Sequence, residues 1–149
     1  MLVEQRTPDD PDLAALLADA FAELVRRYGA QGRTPLHPEA VCLVAVRDGR
    51  AVACGAVQPT GAPGTAEIKR MYVAPAARRG GLARVLLREL ERHARAAGHT
   101  RLLLATGVEN DAAGALYTAE GYAPTASFGK YVSEPFARCF AKDLGAPPA

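Results

Sequence analysis

Apolar residues recur at helical spacing in three stretches of the chain. The first covers residues 13–28, follows Asp9 or Asp10 as a cap with Pro11 in the first turn, and ends at a glycine. The second covers residues 82–97 and also ends at a glycine. A third can begin at the capping residue Asn110 and close before another glycine. The pattern therefore predicts three helices.

Seven shorter runs favour β-structure because they are rich in apolar and β-branched residues. Asp48-Gly49, between the second and third runs, is a strong hairpin signal. The run LLLA is apolar throughout, which predicts a strand buried on both faces. Together with the helices, the order predicts a mixed α/β fold around one central sheet. The predicted strands cover residues 2–6, 41–47, 51–58, 65–73, 101–106, 122–127 and 136–142.

Composition fits one ordinary globular domain over residues 1–149, with a frayed tail at 144–149. Apolar residues make up 49% and charged residues 23%, which excludes a disordered or fibrous chain. The net charge, 18 basic minus 16 acidic residues, is +2, and so small a charge predicts no nucleic-acid partner. Most basic residues are arginines, which suits phosphate recognition but is equally expected from a GC-rich genome.

The cysteines and the N-terminal residues lead to expectations about metal binding and cellular location. Cys42, Cys54 and Cys139 lack metal-ligand spacing, with or without the three histidines, which predicts buried free thiols and no metal site. The start MLVEQRTPDD lacks the pattern of a signal peptide. No apolar run reaches the roughly 18 residues of a membrane span. We therefore expect a soluble, cytoplasmic protein without a membrane partner.

The turn Arg78-Arg79-Gly80-Gly81-Leu82-Ala83 is a candidate phosphate site. It joins a predicted strand to a helix, so its glycines can bring the backbone close to a ligand and the helix N-terminus can offer free N–H groups. It lacks both G-x-G-x-x-G and G-K-[ST], so it is neither a Rossmann fingerprint nor a P-loop. A solvated turn that only begins a helix remains the alternative.

Two motifs resemble those of the GNAT superfamily of N-acetyltransferases. EIKRMYVAPAARRGGLA is similar to the acyl-CoA-binding motif, whose ending R/Q-x-x-G-x-G/A is matched by Arg78, Gly81 and Ala83. The resemblance implies a GNAT-like fold, with a mostly antiparallel sheet flanked by helices. It is weakest in the first 40 residues, where one helix is predicted and the family often has two. The family's second motif, N-x-x-A-x-x-L-Y-x-x-x-G-F/Y, is matched by Asn110, Ala113, Leu116, Tyr117, Gly121 and Tyr122.

The resemblance implies acetyl-CoA as co-substrate and a primary amine as acceptor. It implies that Glu67 takes the amine proton, directly or through water, and that Tyr117 donates a proton to the sulfur. Two structural roles compete with these, a salt bridge from Glu67 to Lys69 and a core position for Tyr117. The cofactor-binding set implied by the resemblance is Met71, Tyr72, Val73, Arg78, Arg79, Gly80, Gly81, Leu82, Ala83 and Asn110, of which Asn110 also suits a helix cap.

The acceptor pocket is expected from the first helix and the loops 30–39 and 128–135. Their aromatic and cationic residues favour a small amine with an anionic or neutral end, such as an amino acid, and leave a protein N-terminus or lysine open. Many relatives carry Glu where this chain has Ala105, so an alternative base or a substrate anchor is expected to be missing here. The candidate lining residues are Tyr28, Arg33, His37, Phe128 and Tyr131.

Two other classes of protein compete with the enzyme. One is a non-catalytic acyl-CoA-binding or regulatory module on the same fold, which the presence of both Glu67 and Tyr117 disfavours. The other is a nucleotide-binding protein that uses the arginine-glycine turn for phosphates. A homodimer is left open.

Overall fold

The computed structural model of the chain describes residues 1–29 and 34–146. Three helices and seven strands form, together with short 3-10 turns at Pro75–Ala77 and Gly129–Ser133. The helices are α1 (Pro11–Tyr28), α2 (Leu82–Ala96) and α3 (Asp111–Ala119). The strands are β1 (Leu2–Arg6), β2 (Val41–Arg47), β3 (Arg50–Pro59), β4 (Thr65–Val73), β5 (Arg101–Gly107), β6 (Ala123–Pro124) and β7 (Ala137–Asp143).

All seven strands belong to one sheet, in the order β1-β2-β3-β4-β5-β7-β6. Neighbouring strands run antiparallel except β4 and β5, which are parallel. The mixed α/β fold with a mostly antiparallel sheet is therefore confirmed. The sixth predicted strand, 122–127, is reduced to Ala123–Pro124, and the Tyr122 N–H before it donates to the Tyr117 carbonyl of α3 at 2.9 Å.

Side-chain caps stabilise the N-termini of two helices. The Leu13 N–H donates to the Asp10 carboxylate at 3.0 Å, and the Ala113 N–H donates to the Asn110 side chain at 3.1 Å. These caps satisfy N–H groups that have no partner inside a helix. The first turn of α2 has no such cap. No helix in residues 1–29 or 34–146 is long and apolar enough to cross a membrane.

The sheet separates two apolar layers. On one face, alternate strand residues such as Leu102 form a buried cluster with α2 and α3, to which Leu86 and Tyr117 belong. On the opposite face α1 packs through Leu13 and Leu16, beside two cysteines. All three cysteines are buried and free, and burial raises the pKa of Cys54 to about 12. The α2-side core extends to Leu144, the first residue of the predicted tail.

Candidate active site

The strands β4 and β5 form a fork in the middle of the sheet. Their parallel pairing covers three residue pairs and ends at Glu67 opposite Leu103. Beyond that point β4 continues to Val73 and β5 to Gly107 without pairing to each other. Backbone groups on the facing edges are therefore available to a ligand that enters as an additional strand. Met71, Tyr72 and Val73 lie on the β4 arm of this fork.

A bulge in β4 bends that arm. Arg70 has a φ of 60°, and the register with β3 shifts so that Ala56 pairs with Lys69 while Cys54 pairs with Tyr72. The extra residue changes which face the following side chains reach. Met71 then packs in the α2-side core and Tyr72 on the α1 side. The Arg70 side chain donates to the backbone carbonyl of Thr34.

The glycine-rich turn presents an open helix N-terminus. Gly81, the residue before α2, has a φ of 77°, and a Cβ built there would meet nothing within 4 Å. No side chain caps the helix, and its first turn contains no acidic residue. The unpaired N–H groups and the positive end of the helix dipole thus face open space. This arrangement has the features that a phosphate group requires, and the prediction of a phosphate site at residues 78–83 stays a prediction.

Two arginines stand in different relations to the turn. The Arg78 guanidinium donates to the Val73 carbonyl at 2.9 Å and to the Glu23 carboxylate at 2.7 Å. Arg78 therefore ties the turn to β4 and α1, and both contacts use its guanidinium group. Arg47, which sequence analysis missed, places a guanidinium nitrogen 3.5 Å from where a Gly80 Cβ would lie. No local signal marks it, since the hairpin end meets this turn only in the folded chain.

Glu67 lies on the α1 face at the closed end of the fork. Its carboxylate accepts a hydrogen bond from the Tyr131 hydroxyl at 3.3 Å, and the Lys69 Nζ lies 3.7 Å away. Burial, then the Glu67 charge, raises the pKa of Tyr131, so this hydroxyl keeps its proton. Phe128 packs edge-on against Tyr131, with ring centroids 5.2 Å apart. The structure thus brings Glu67 together with two of the five predicted lining residues.

Tyr28 lies at the open end of the fork. Its ring stacks on Phe136 with centroids 5.2 Å apart. A Cβ at Gly107, the last residue of β5, would overlap the Tyr28 hydroxyl. Gly107 is therefore required for this packing, and Tyr28 with Phe136 forms a wall beside the β5 arm.

The other predicted lining residues are a histidine and an arginine of the loop before β2. The exposed His37 takes part in a turn, because its ring accepts a hydrogen bond from the Glu39 N–H at 2.9 Å. Its own N–H donates at 2.9 Å to Gln58, the β3 residue paired with Glu67, so the loop lies beside that carboxylate. Arg33 lies outside the described residues. Within the described ranges, no group of three or more His, Cys, Asp or Glu side chains could hold a metal ion.

Tyr117 lies on the opposite face of the sheet from Glu67. It projects from α3 into the α2-side core, where it packs against Tyr122 and Phe140. Burial raises its pKa to about 12, so the phenol is protonated at neutral pH and can act as a proton donor. Asn110 uses its side-chain oxygen to cap the same helix.

Comparisons with known proteins agree with this geometry. The profile of the family described as "Acetyltransferase (GNAT) family" matches residues 10–122, which contain the fork, the turn and α3. A protein of Azospirillum brasilense called an IAA acetyltransferase is 42% identical over 112 residues, 75% of this chain and 73% of that protein.

Solved structures show the same fold over nearly the whole chain. A Klebsiella pneumoniae protein described as an acyl-CoA N-acyltransferase is 31% identical, with a TM-score of 0.83 and 97% of each chain covered. A GNAT family acetyltransferase from Elizabethkingia anophelis, solved with acetyl-CoA bound, is 19% identical. It has a TM-score of 0.73 over 96% of this chain and 97% of that one, a likeness of fold alone.

Proposed function

The chain belongs to the GNAT acetyltransferase family and is an acyl-CoA-dependent N-acetyltransferase; we propose that it transfers acetyl from acetyl-CoA to the primary amine of a small molecule such as an amino acid. The observation that carries the proposal is the fork between β4 and β5. It has a carboxylate, Glu67, on one face of the sheet and a protonated phenol, Tyr117, on the other. A thioester held in the fork would lie between a base and an acid.

The open turn before α2 suits the pyrophosphate of acetyl-CoA, since oriented N–H groups at a helix N-terminus bind anions. The free edge of β4 at residues 71–73 suits the pantetheine arm, which contains amides that can pair with a strand. Arg78 holds the turn against this strand through the Val73 carbonyl. Together these features support one continuous path from the phosphates to the fork.

Glu67 would remove the proton that the acceptor must lose. A free alkylamine has a pKa near 10 and is mostly charged at neutral pH, so it cannot attack until it is deprotonated. The neutral amine nitrogen then forms a bond to the carbonyl carbon and gives up its second surplus proton to water, and the bond from that carbon to sulfur breaks. Tyr117 would donate a proton to the departing sulfur, so that the products are an N-acetyl amide and CoA thiol. Exchange with solvent restores both side chains.

The proposed function predicts release of CoA thiol when the protein is given acetyl-CoA and a panel of primary amines. The panel should contain amino acids, simple alkylamines, and peptides with free N-termini or lysines. We expect turnover with at least one small amine. Binding of CoA by calorimetry without turnover on any amine would instead identify an acyl-CoA-binding module. A preference for ATP or NAD over CoA would identify a nucleotide-binding protein.

Replacing Tyr117 with phenylalanine should lower kcat about tenfold and leave the affinity for acetyl-CoA nearly unchanged. The ring packing is retained and only the hydroxyl is lost. The effect is modest because a thiolate leaves readily, with a thiol pKa near 8.5. Steady-state kinetics on the best acceptor and calorimetry with CoA measure the two quantities. Tyr122→Phe is the matched control, since it removes a buried hydroxyl that donates to Glu91 in the same core. Full activity of Tyr117→Phe would assign Tyr117 to packing alone.

A further inference from the structure

Lys69 is a buried ammonium group next to the base. Its side chain is only 7% exposed, and its charged partner is Glu67 at 3.7 Å, which is too long for a direct hydrogen bond. The Nζ also lies 5.9 Å from the centre of the Tyr131 ring. An ammonium group carries three N–H donors, so this one long contact with Glu67 leaves room for a further acceptor beside Lys69.

The charges around Lys69 leave this group under-compensated. Burial is the largest cause that lowers its pKa, and Lys130 and Arg70 lower it further, while Glu67 raises it. A buried cation normally requires a paired anion and satisfied hydrogen bonds. The Glu67 carboxylate is the anion paired with Lys69, while Lys130 and Arg70 act against the ammonium charge. An anionic group that entered beside Lys69 would add a second favourable charge and could accept a hydrogen bond from Nζ.

The Glu67–Lys69 pair places a carboxylate beside an ammonium group, and an α-amino acid carries the complementary ammonium and carboxylate. Both residues lie on the same face of β4, at the closed end of the fork. An α-amino acid carries its amine and carboxylate on a single carbon, so it can contact both members of the pair at once. We propose that Lys69 binds the carboxylate of an α-amino acid acceptor whose amine is held by Glu67. This inference rests on the proposed N-acetyltransferase function.

The same geometry disfavours two other kinds of acceptor. A polyamine would bring a second cation next to Lys69, where nothing in the described site offsets it. A protein or peptide N-terminus has an amide in place of the carboxylate, so it would bring no second anion to Lys69. Lys69 thus favours the free amino acid over either of these amines.

The experiment compares three acceptors that share one side chain: the amino acid that turns over fastest in the wild type, its amide, and its decarboxylated amine. L-Leucine, L-leucinamide and 3-methylbutylamine are such a set. We expect the wild type to prefer the amino acid to its decarboxylated amine. Lys69→Met should lower kcat/KM for the amino acid at least about tenfold, mainly through KM, since a charged hydrogen bond is lost. For the decarboxylated amine, kcat/KM should stay nearly unchanged. Because each ratio uses the same acceptor in both proteins, differences in amine pKa cancel.

Lys130→Met is the matched control, because Lys130 also lies over the Tyr131 ring, at 5.4 Å, but is exposed. It should leave the preference for the amino acid intact. If melting curves show that Lys69→Met is unfolded, Lys69→Gln, which retains a polar group, replaces it in the same comparison. Equal losses of kcat/KM on all three acceptors would show that Lys69 only supports Glu67. A wild-type preference for the amide over the amino acid would point to peptide N-termini as acceptors. Either result overturns the assignment of Lys69. If no amine supported CoA release from acetyl-CoA, the proposed function itself would be refuted instead.

Discussion

Glu67→Gln should lower kcat/KM at neutral pH by about two to four orders of magnitude, the usual contribution of a positioned general base. Glutamine keeps the size of the side chain and can still accept from the Tyr131 hydroxyl, but it cannot take up the amine proton. CoA binding should be nearly unchanged, because Glu67 lies on the α1 face and the turn proposed to bind the phosphates lies before α2. Steady-state kinetics from pH 6 to 10, with calorimetry for CoA, measure both effects.

The pH dependence separates a base from a structural carboxylate. The deficit of Glu67→Gln should shrink as the pH approaches the pKa of the free amine, near 10, where solvent deprotonates the acceptor. The profile should be measured with a decarboxylated amine. An acceptor without a carboxylate does not depend on the charge of Lys69, whose pKa burial lowers, for binding, so this choice keeps the titration of Lys69 out of the comparison.

Glu134→Gln is the matched control for the Glu67 experiment. The charge of Glu134, like that of Glu67, raises the pKa of Tyr131, but Glu134 does not lie at the fork. It should keep most of the activity at every pH. A deficit of Glu67→Gln that is constant across the pH range, or absent, would contradict the role of Glu67 as base and leave deprotonation to water.

Local signals in the sequence were sufficient to predict the elements. Asp10 and Asn110 cap helices as expected, since a cap depends on residues three positions away. Asp48 and Gly49 have φ values of 53° and 77°, the two left-handed residues that a tight hairpin requires. Such features depend on chemistry within a few residues and are therefore visible without the fold.

The bulge in β4 and the early end of its pairing with β5 had no local signal. Residues 65–73 read as one uninterrupted strand, and an arginine at a φ of 60° is not suggested by its side chain. The bulge is a property of the assembled sheet, because it lies where the register between β3 and β4 shifts, beyond the last residue pair of β4 with β5. The fork, which carries the functional proposal, could therefore not be derived from the pattern alone.

The sequence named candidate site residues but could not give the contacts between them. Glu67 and Tyr131 were both candidates, but their hydrogen bond joins residues 64 positions apart. Arg78 was expected at the phosphate turn, and its pairing with Glu23, 55 positions away, became visible only once α1 was packed on the sheet. The unusual burial of Lys69 could not be read from sequence, because an alternating strand shows which residues share a face and not how deeply that face is covered.

Gly81→Leu should weaken CoA binding about a hundredfold, a loss close to that of two charge-assisted N–H contacts at roughly 1.5 kcal/mol each. A leucine at a φ of 77° would project into the space in front of α2, where the phosphates are expected. It would also strain the turn, since only glycine adopts this conformation readily. Calorimetry with CoA on the folded variant measures the change.

Gly98→Leu separates occlusion of the phosphate site from general strain. Gly98 follows α2 at its other end, has a φ of 90°, and like Gly81 would place a Cβ in open space. Leucine there should lower the melting temperature by a similar amount, because both substitutions put a side chain on a left-handed residue. It should bind CoA as the wild type does, since the N–H groups before α2 are untouched. If the folded Gly81→Leu protein also binds CoA with wild-type affinity, the phosphates do not lie at this turn.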